Sequence, residues 1–176
     1  VVGATAGDTP NDQTGLPHDG ELEINGGTFD VATTSKASAD NKTVYGVRAY
    51  ASKRKITSTE SGYYIGNYAS AGTVTINGGE FIVDGNNTIV GIMCSGTATQ
   101  AAATISDIEC PAASATAKMT VNGGKFKVTG TSTVYATNNS AKTANFKLQG
   151  GWFNIKDNTS YLQKYVAPTN TASDYY

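Results

Sequence analysis

One ten-residue segment recurs along the chain and constrains its fold more than any other feature. Residues 74–83 read Val-Thr-Ile-Asn-Gly-Gly-Glu-Phe-Ile-Val, and related copies occupy residues 22–31, 120–128 and 147–155. The shared form is an aliphatic residue, Asn or Gln, Gly, Gly, any residue, Phe, any residue, then Val or Ile. Because a single repeat cannot bury its own apolar face, repeats of this kind stack on one another. The sequence therefore predicts a fold built from stacked repeats.

The residues between the motifs favour β-strands. β-Branched and aromatic residues come in short runs bounded by Gly, Asn and Asp, and helix formers are not grouped at helical spacing. A second motif, Thr-Val-Tyr-Gly-Val in its first copy, follows at residues 43–47, 88–92 and 133–136. The chain of 176 residues is long enough for one domain with a substantial core. We predict an all-β domain.

The spacing of the motifs shows that the third unit is shorter than the first two. From Thr43, Thr88 and Thr133 to the next motif Asn or Gln there are 34, 34 and 16 positions, so the third unit lacks 18 residues. The first unit also carries a seven-residue insertion between residues 31 and 41. The residues missing from the third unit contain another candidate strand, at residues 63–65 and 108–110. This strand forms either a further face of the stack or a hairpin that extends from it.

Stacking predicts three rows of equivalent residues. The aliphatic row is Ile24, Ile76, Val121 and Leu148; the aromatic row is Phe29, Phe81, Phe126 and Phe153; the amide row is Asn25, Asn77, Asn122 and Gln149. The first two rows are five residues apart, so strict alternation along one strand would place them on opposite faces. We therefore expect the Asn-Gly-Gly segment to bend the chain. The amides either form a hydrogen-bonded ladder at this bend or adopt a left-handed conformation beside glycine.

The repeat unit resembles the repeats of right-handed parallel β-helix, pectin-lyase-like domains in secreted and surface proteins of bacteria. The resemblance covers roughly residues 22–155 and is carried by the Ile-Asn-Gly-Gly-x-Phe motif. It implies a β-solenoid of about four repeats, spanning residues 21–156, with an aliphatic, aromatic and Asn-laddered interior. It also implies an extracellular or cell-surface location.

The ends of the chain are read as caps of the solenoid. Residues 1–20 are polar and predict a linker or cap, and residues 157–176 predict a C-terminal cap or the start of a next module. No signal peptide is visible, so we expect the chain to start downstream of one. The chain stops abruptly at Tyr175 and Tyr176, so we expect it to be one module of a longer surface protein. Trp152, on the outward side of the last repeat, is either a sugar-stacking platform or covered by the aromatic tail.

The two cysteines and the single histidine limit the available chemistry. Cys94 and Cys110 fall at small or apolar positions of neighbouring segments, and we predict a disulfide between them in an oxidising setting, with two buried free thiols as the alternative. His18 is the only histidine, so a Ser-His-Asp or Cys-His site within the repeats is excluded. Neither a metal site nor a cofactor is expected.

Charge and hydropathy exclude two classes of partner. The formal net charge is −1, which predicts no electrostatic surface for nucleic acid. No apolar run approaches the roughly 18 residues that span a bilayer, so membrane insertion is not expected.

Catalysis is the weaker of two functional interpretations. Acidic residues do not recur at equivalent positions of the repeats, and Asp107 and Glu109, spaced i, i+2 on one predicted strand face, are the candidate pair for a polysaccharide lyase or glycoside hydrolase. We predict instead a non-catalytic module that acts as a spacer or an adhesin-like surface for carbohydrate or host matrix. Aromatic and Arg side chains supply binding surfaces. The candidates are Tyr45, Arg48, Tyr50, Tyr63, Tyr64, Tyr68 and Trp152. A third interpretation is a structural subunit that self-associates end to end.

Overall fold

A computed structural model describes residues 19–32, 43–57, 64–85, 88–130, 134–139 and 145–154. The regular elements in these ranges are all β-strands. In chain order they are β1 (Gly20–Ile24), β2 (Thr28–Ala32), β3 (Val44–Ala49), β4 (Ala51–Ile56), β5 (Gly66–Ile76), β6 (Glu80–Gly85), β7 (Ile89–Cys94), β8 (Thr97–Gln100), β9 (Ala103–Ile105), β10 (Ile108–Cys110), β11 (Ala113–Thr116), β12 (Lys118–Val121), β13 (Lys125–Gly130), β14 (Val134–Asn139), β15 (Phe146–Leu148) and β16 (Trp152–Phe153).

Three parallel sheets hold the repeats together. The first sheet has the order β1-β5-β12-β15, the second β16-β13-β6-β2 and the third β14-β7-β3. The strands of one repeat pass through the three sheets in turn, and we call each such set a rung: β1 to β3, β5 to β7, β12 to β14, and β15 with β16. The predicted all-β class is confirmed, and the parallel sheets are consistent with a β-solenoid-like fold.

The Asn-Gly-Gly segments form the corner between the first and second sheets. Gly27, Gly79, Gly124 and Gly151, the second glycine of each motif, have φ angles of 104°, 111°, 113° and 117°. Side chains with a Cβ rarely adopt this conformation, so glycine allows the chain to turn and the aliphatic and aromatic rows to face the same interior. The motif therefore contributes two strands and a corner rather than one bent strand.

The predicted amide ladder is present from the first rung to the third. Asn77 Nδ2 donates to Asn25 Oδ1 and Asn122 Nδ2 donates to Asn77 Oδ1, both at 2.7 Å. In the described residues the only positive φ angles outside glycine are those of Ser106 and Asp107. The alternative of left-handed asparagines is therefore wrong, because the glycine that follows them takes that conformation. The motif amides bind one another across the rungs.

Identical side chains stack in the core. The ring centroids of Phe29 and Phe81 lie 4.9 Å apart, and those of Phe81 with Phe126 and of Phe126 with Phe153 lie 4.7 Å apart, with interplanar angles of 7° to 10°. Such pairs add about 0.5–1.5 kcal/mol each beyond the burial of their surface. The aliphatic row is in register as well, with Ile24 beside Ile76 and Val121 beside Leu148.

The residues missing from the third unit form arms that leave the stack. The first arm pairs β4 with residues 66–71 of β5, antiparallel, and the second arm pairs β8 with β11, antiparallel, and carries the hairpin β9–β10. Of the two routes that the sequence leaves open, the hairpin is the one adopted, because these strands pair with each other and not with the neighbouring repeat. In the third unit the chain passes from β14 to β15 without such an arm within its described residues.

Several predicted features lie outside the described residues. The insertion between residues 31 and 41 falls almost wholly there, as do residues 1–18 of the predicted N-terminal linker and all of the predicted cap at 157–176. These expectations stay predictions.

The glycines of the first corner provide a matched test of its geometry. Gly27→Ala should destabilise the protein by about 1–3 kcal/mol, because it forces a Cβ into a conformation with φ of 104°. A Cβ at Gly26 meets no atom within 4 Å, and that φ is not positive. Gly26→Ala should therefore be neutral or stabilise by up to about 1 kcal/mol. Equal destabilisation of both variants in urea unfolding would contradict this assignment of the corner.

Truncation of the stacked row tests the core. Phe126 is fully buried between two rings, so Phe126→Ala should lower the free energy of unfolding by about 3–5 kcal/mol. Phe29 is half-buried and stacks on one ring, so Phe29→Ala should cost less. Chemical denaturation followed by circular dichroism measures both. A cost below about 1 kcal/mol for Phe126→Ala would exclude the stacked arrangement.

Candidate functional site

An arginine stacked on two tyrosines lies on the outward side of the third sheet. Tyr45 and Arg48 belong to β3, and Tyr50 follows it at the root of the first arm. The guanidinium carbon of Arg48 lies 3.9 Å from the ring centroid of Tyr50 and 4.8 Å from that of Tyr45. All three side chains are half-buried, while Val44, Val47 and their neighbours on the strand face the core. We call these three residues the Arg48 platform.

The geometry of the platform follows from the backbone. Along β3 the burial alternates, and it is interrupted at Gly46 and Val47, which are both buried. A Cβ at Gly46 would lie 2.5 Å from the carbonyl oxygen of Gly91. Glycine therefore lets the strand turn here, and Tyr45 and Arg48 emerge on the same outer side although they are three residues apart. Guanidinium–aromatic contacts of this kind contribute about 0.5–1 kcal/mol at exposed sites.

A groove of about 470 Å³ borders the platform at Tyr50. It lies between the third sheet and the two arms. The lining residues are Tyr50, Ala51, Ser52, Lys53, Met93, Ser95, Thr97, Ala98 and Thr99. Five of these residues carry hydroxyl groups, one is a cation and none is a carboxylate. We call this cavity the Tyr50 groove.

Hydrogen bonds hold the walls of the Tyr50 groove in place. The backbone N–H of Ala51 donates to Ser95 Oγ at 2.7 Å, and Lys53 Nζ donates to the carbonyl oxygen of Thr99 at 2.8 Å. Each of these bonds joins the first arm to the second repeat. Thr99 Oγ1 also lies 3.1 Å from Ser114 Oγ. The groove is therefore formed by two successive repeats, whose arms are linked by side-chain contacts.

The remaining tyrosines of the predicted cluster lie elsewhere. Tyr64 lies on the first arm and is 74% exposed. The hydroxyl of Tyr68 donates to the backbone carbonyl oxygen of Tyr64 at 2.9 Å. Burial, then the charges of Cys110 and Tyr64, raise the pKa of Tyr68. Tyr63 lies outside the described residues. The structure therefore brings together Tyr45, Arg48 and Tyr50, and places Tyr64 and Tyr68 on the arm.

Trp152 sits at the end of an outward row in the second sheet. It is in register with Lys125, and Lys125 with Glu80. Lys125 Nζ lies 3.2 Å from Glu80 Oε1 and 5.6 Å from the Trp152 ring centroid. The tryptophan is half-buried. It belongs to a different sheet from the Arg48 platform, so the two do not share a strand face.

The candidate carboxylate pair does not have the predicted arrangement. Asp107 lies in the two-residue turn between β9 and β10, with φ of 65°, and Glu109 lies in β10. The prediction that they share one strand face is wrong, because Ser106 and Asp107 form the tight turn of the hairpin. Both are exposed, and Glu109 lines a separate groove of about 440 Å³. In the described ranges no cluster of three or more His, Cys, Asp or Glu side chains could hold a metal ion.

The predicted disulfide is not formed. Cys94 is the last residue of β7 and lies in the core, where its Sγ is 3.5 Å from the carbonyl oxygen of Ala117. Cys110 is the last residue of β10 in the second arm, and its Sγ is 3.5 Å from the carbonyl oxygen of Ile108. Both are buried free thiols, the alternative that the sequence left open. Burial raises the pKa of Cys94 from its ordinary 9.0 to about 11, opposed by a backbone hydrogen bond from Gly96.

The sequence did not single out the hydroxyl-rich wall of the groove. Ser52, Ser95, Thr97 and Thr99 belong to segments of ordinary Ser and Thr content, in a chain rich in both. Ser52 is only two positions from Tyr50, but Ser95, Thr97 and Thr99 come to lie beside it only because the two arms contact each other. No signal in one sequence distinguishes them from the other exposed hydroxyls of the chain.

No family model, curated protein or solved structure matches this chain. The described residues contain no helix that is long and apolar enough to cross a membrane.

The raised pKa of Cys94 predicts a pH dependence of stability in the reduced protein. The folded state disfavours the thiolate, so the contribution of this group is fully present below pH 9 and is lost as the pH rises towards 11. The urea midpoint should therefore fall between these pH values, and it should fall less in Cys94→Ala. Met93→Ala, beside Cys94 in the same strand and without a titratable side chain, is the control and should keep the wild-type dependence. An unchanged dependence in Cys94→Ala would contradict this cause.

Proposed function

We propose that this chain is a right-handed parallel β-helix module of a secreted or cell-surface bacterial protein, similar to pectin-lyase-like domains, and that it binds carbohydrate without catalysis. The parallel sheets, the in-register rows and the Asn-Gly-Gly corners support the solenoid part of this proposal. In it, the stacked repeats are a rigid support and the ligand contacts their outward surface.

The Arg48 platform beside the Tyr50 groove is the observation that carries the binding part. Tyrosine supplies a flat apolar ring with a polar end, which suits the faces and edges of a sugar. The hydroxyls of Ser52, Ser95 and the threonines offer donors and acceptors along an open groove of about 470 Å³. Arg48 holds both rings by stacking, so the platform loses little side-chain freedom when a ligand binds.

The geometry favours binding over catalysis. A glycosidase holds two carboxyl groups roughly 5–9.5 Å apart across its substrate. The lining of the Tyr50 groove contains no carboxylate, and Asp107 and Glu109 belong to the β9–β10 hairpin at another groove. The alternative of a carbohydrate-active enzyme therefore has no observation at the platform in its favour.

Substitution at the groove tests the proposal. A glycan or matrix-protein array should identify a ligand, and Tyr50→Ala should then weaken its binding about tenfold, the typical effect of removing an aromatic contact worth about 1–2 kcal/mol. Tyr135→Ala is the matched control, because Tyr135 occupies the register row of Tyr45 two rungs away and lies outside the groove lining. Calorimetry measures both variants.

The same purified protein distinguishes carbohydrate binding from catalysis and from a spacer role. Sugar release by wild-type protein that Glu109→Gln abolishes would overturn the non-catalytic assignment. Binding that Tyr135→Ala weakens as much as Tyr50→Ala would place the ligand elsewhere on the third sheet. No binding to any glycan or matrix protein would leave the module as a spacer and sink the binding proposal.

A further inference from the structure

Charged residues on the outer faces of the first and second sheets are sorted by sign along the stack. In the first two rungs the charged outward residues of these sheets are acidic: Glu21, Glu23, Asp30, Glu80 and Asp84. In the third and fourth rungs they are basic: Lys118, Lys125, Lys127 and Lys147. The chain as a whole has a net charge of only −1. The sign therefore changes between the second and third rungs, although the total is nearly balanced.

The charge also changes sign within single rows of in-register residues in the first sheet. Glu21 is in register with Thr73, and Thr73 with Lys118. Glu23 lies in the next row, which continues through Thr75 and Thr120 to Lys147. In both rows a carboxylate begins the row, threonine follows and an ammonium group is at or near its end.

In the part of the chain that the structure describes, the outer face of the first sheet is exposed at its charged side chains and is bordered by β11, which lines a groove together with Thr73 and Lys118. Its four charged side chains, Glu21, Glu23, Lys118 and Lys147, are all exposed. The strand β5 runs without interruption from the first arm into this sheet, pairing with β4 and then with β1. The arm therefore continues the sheet rather than folding over its face. We call the outward residues of the first sheet the first-sheet face.

We propose that the first-sheet face binds the same face of a second copy of this chain, with the two stacks antiparallel. A twofold axis parallel to the strands reverses the order of the rungs and keeps the position along each strand. With this axis between the second and third rungs, Glu23 of one copy lies opposite Lys147 of the other. Glu21 of one copy then lies one rung, about 4.8 Å along the stack, from Lys118 of the other. Because the contact is isologous, each pairing occurs twice and the complex closes as a dimer.

Self-complementarity singles out a second copy as the partner. An anionic polymer would be attracted by the lysine rungs but repelled by the two glutamates on the same face. An antiparallel copy uses both halves of the face and places no like charges in opposition. Oppositely arranged charges steer association and fix register.

The size of the face sets the strength of the complex. Four strands about 4.8 Å apart and five residues of about 3.3 Å each cover roughly 300 Å². A stable interface needs roughly 800 Å² from each partner. The dimer is therefore weak and depends on salt.

Charge-reversed variants test this arrangement directly. Sedimentation velocity over a range of concentrations should show a dimer at about 0.01 M salt, where the Debye length is about 30 Å, and at least tenfold weaker association at about 1 M, where it is about 3 Å. Glu21→Lys with Glu23→Lys makes the face wholly basic, and Lys118→Glu with Lys147→Glu makes it wholly acidic. Each double variant alone should associate at least about tenfold more weakly than the wild type.

A mixture of the two double variants is the decisive sample. In it the basic face of one meets the acidic face of the other at both ends, so a mixed dimer should form with about the wild-type affinity. Glu109→Lys, which lies on the second arm, is the control for a change of net charge and should dimerise normally. Thermal melts of each variant identify any that fail to fold.

Three results would overturn the proposal. These are a wild-type protein that stays monomeric at low salt, a mixture that associates no better than its components, and particles that grow beyond a dimer with concentration. The last result would indicate end-to-end stacking instead. Binding of the wild type to heparin that Lys118→Glu with Lys147→Glu abolishes, without any dimer, would assign the face to anionic polymers.

Discussion

The in-register parallel ladder is the constraint on which the rest of the structure depends. Each strand of the second rung meets the equivalent positions of its neighbours on both sides, so Phe stacks on Phe and Asn bonds to Asn. A shift of one residue would turn the aromatic row to the outer face and break the amide contacts at the same time. Each rung therefore specifies the conformation of the next. The motif is repeated because equivalent positions in successive rungs must carry matching residues.

The corner glycines and the ladder depend on each other. The second glycine of each motif turns the chain, and the carbonyl oxygen of Gly27 then accepts from the N–H of Glu80 at 2.8 Å, as that of Gly79 does from Lys125. A Cβ at Gly123 would lie only 2.7 Å from the carbonyl oxygen of Asn77 in the rung before it. From the second rung onward, the first glycine of the motif is thus needed for close approach to the rung before it, and in every rung the second glycine is needed for the direction of the chain.

Once the interior is fixed, the outer surface and the connections are free to vary. The arms enter between the third and first sheets, and β5 runs from the first arm into the first sheet as a single strand of 11 residues. The Tyr50 groove arises where the arms meet the third sheet, and its lining comes from both. Outward residues face solvent and need not match their equivalents in shape, which is why the same row holds Thr28, Glu80 and Lys125. The proposed binding site lies on this outer surface.

The sequence by itself determined the rows, the bend at Asn-Gly-Gly and the all-β class, because identical residues at equivalent positions can only be satisfied by stacking. It also indicated that Tyr45, Arg48 and Tyr50 are outward. It did not determine the route of the 18 additional residues, the turn that separates Asp107 from Glu109, or the distance between the two cysteines. These features depend on how the strands within each arm pair with one another. Antiparallel pairing leaves no periodic signal in a segment that occurs only twice. Tertiary structure alone placed the hydroxyls of the second arm beside Tyr50 and aligned the charged rows of the first sheet, because both relate residues about 45 or more positions apart along the chain.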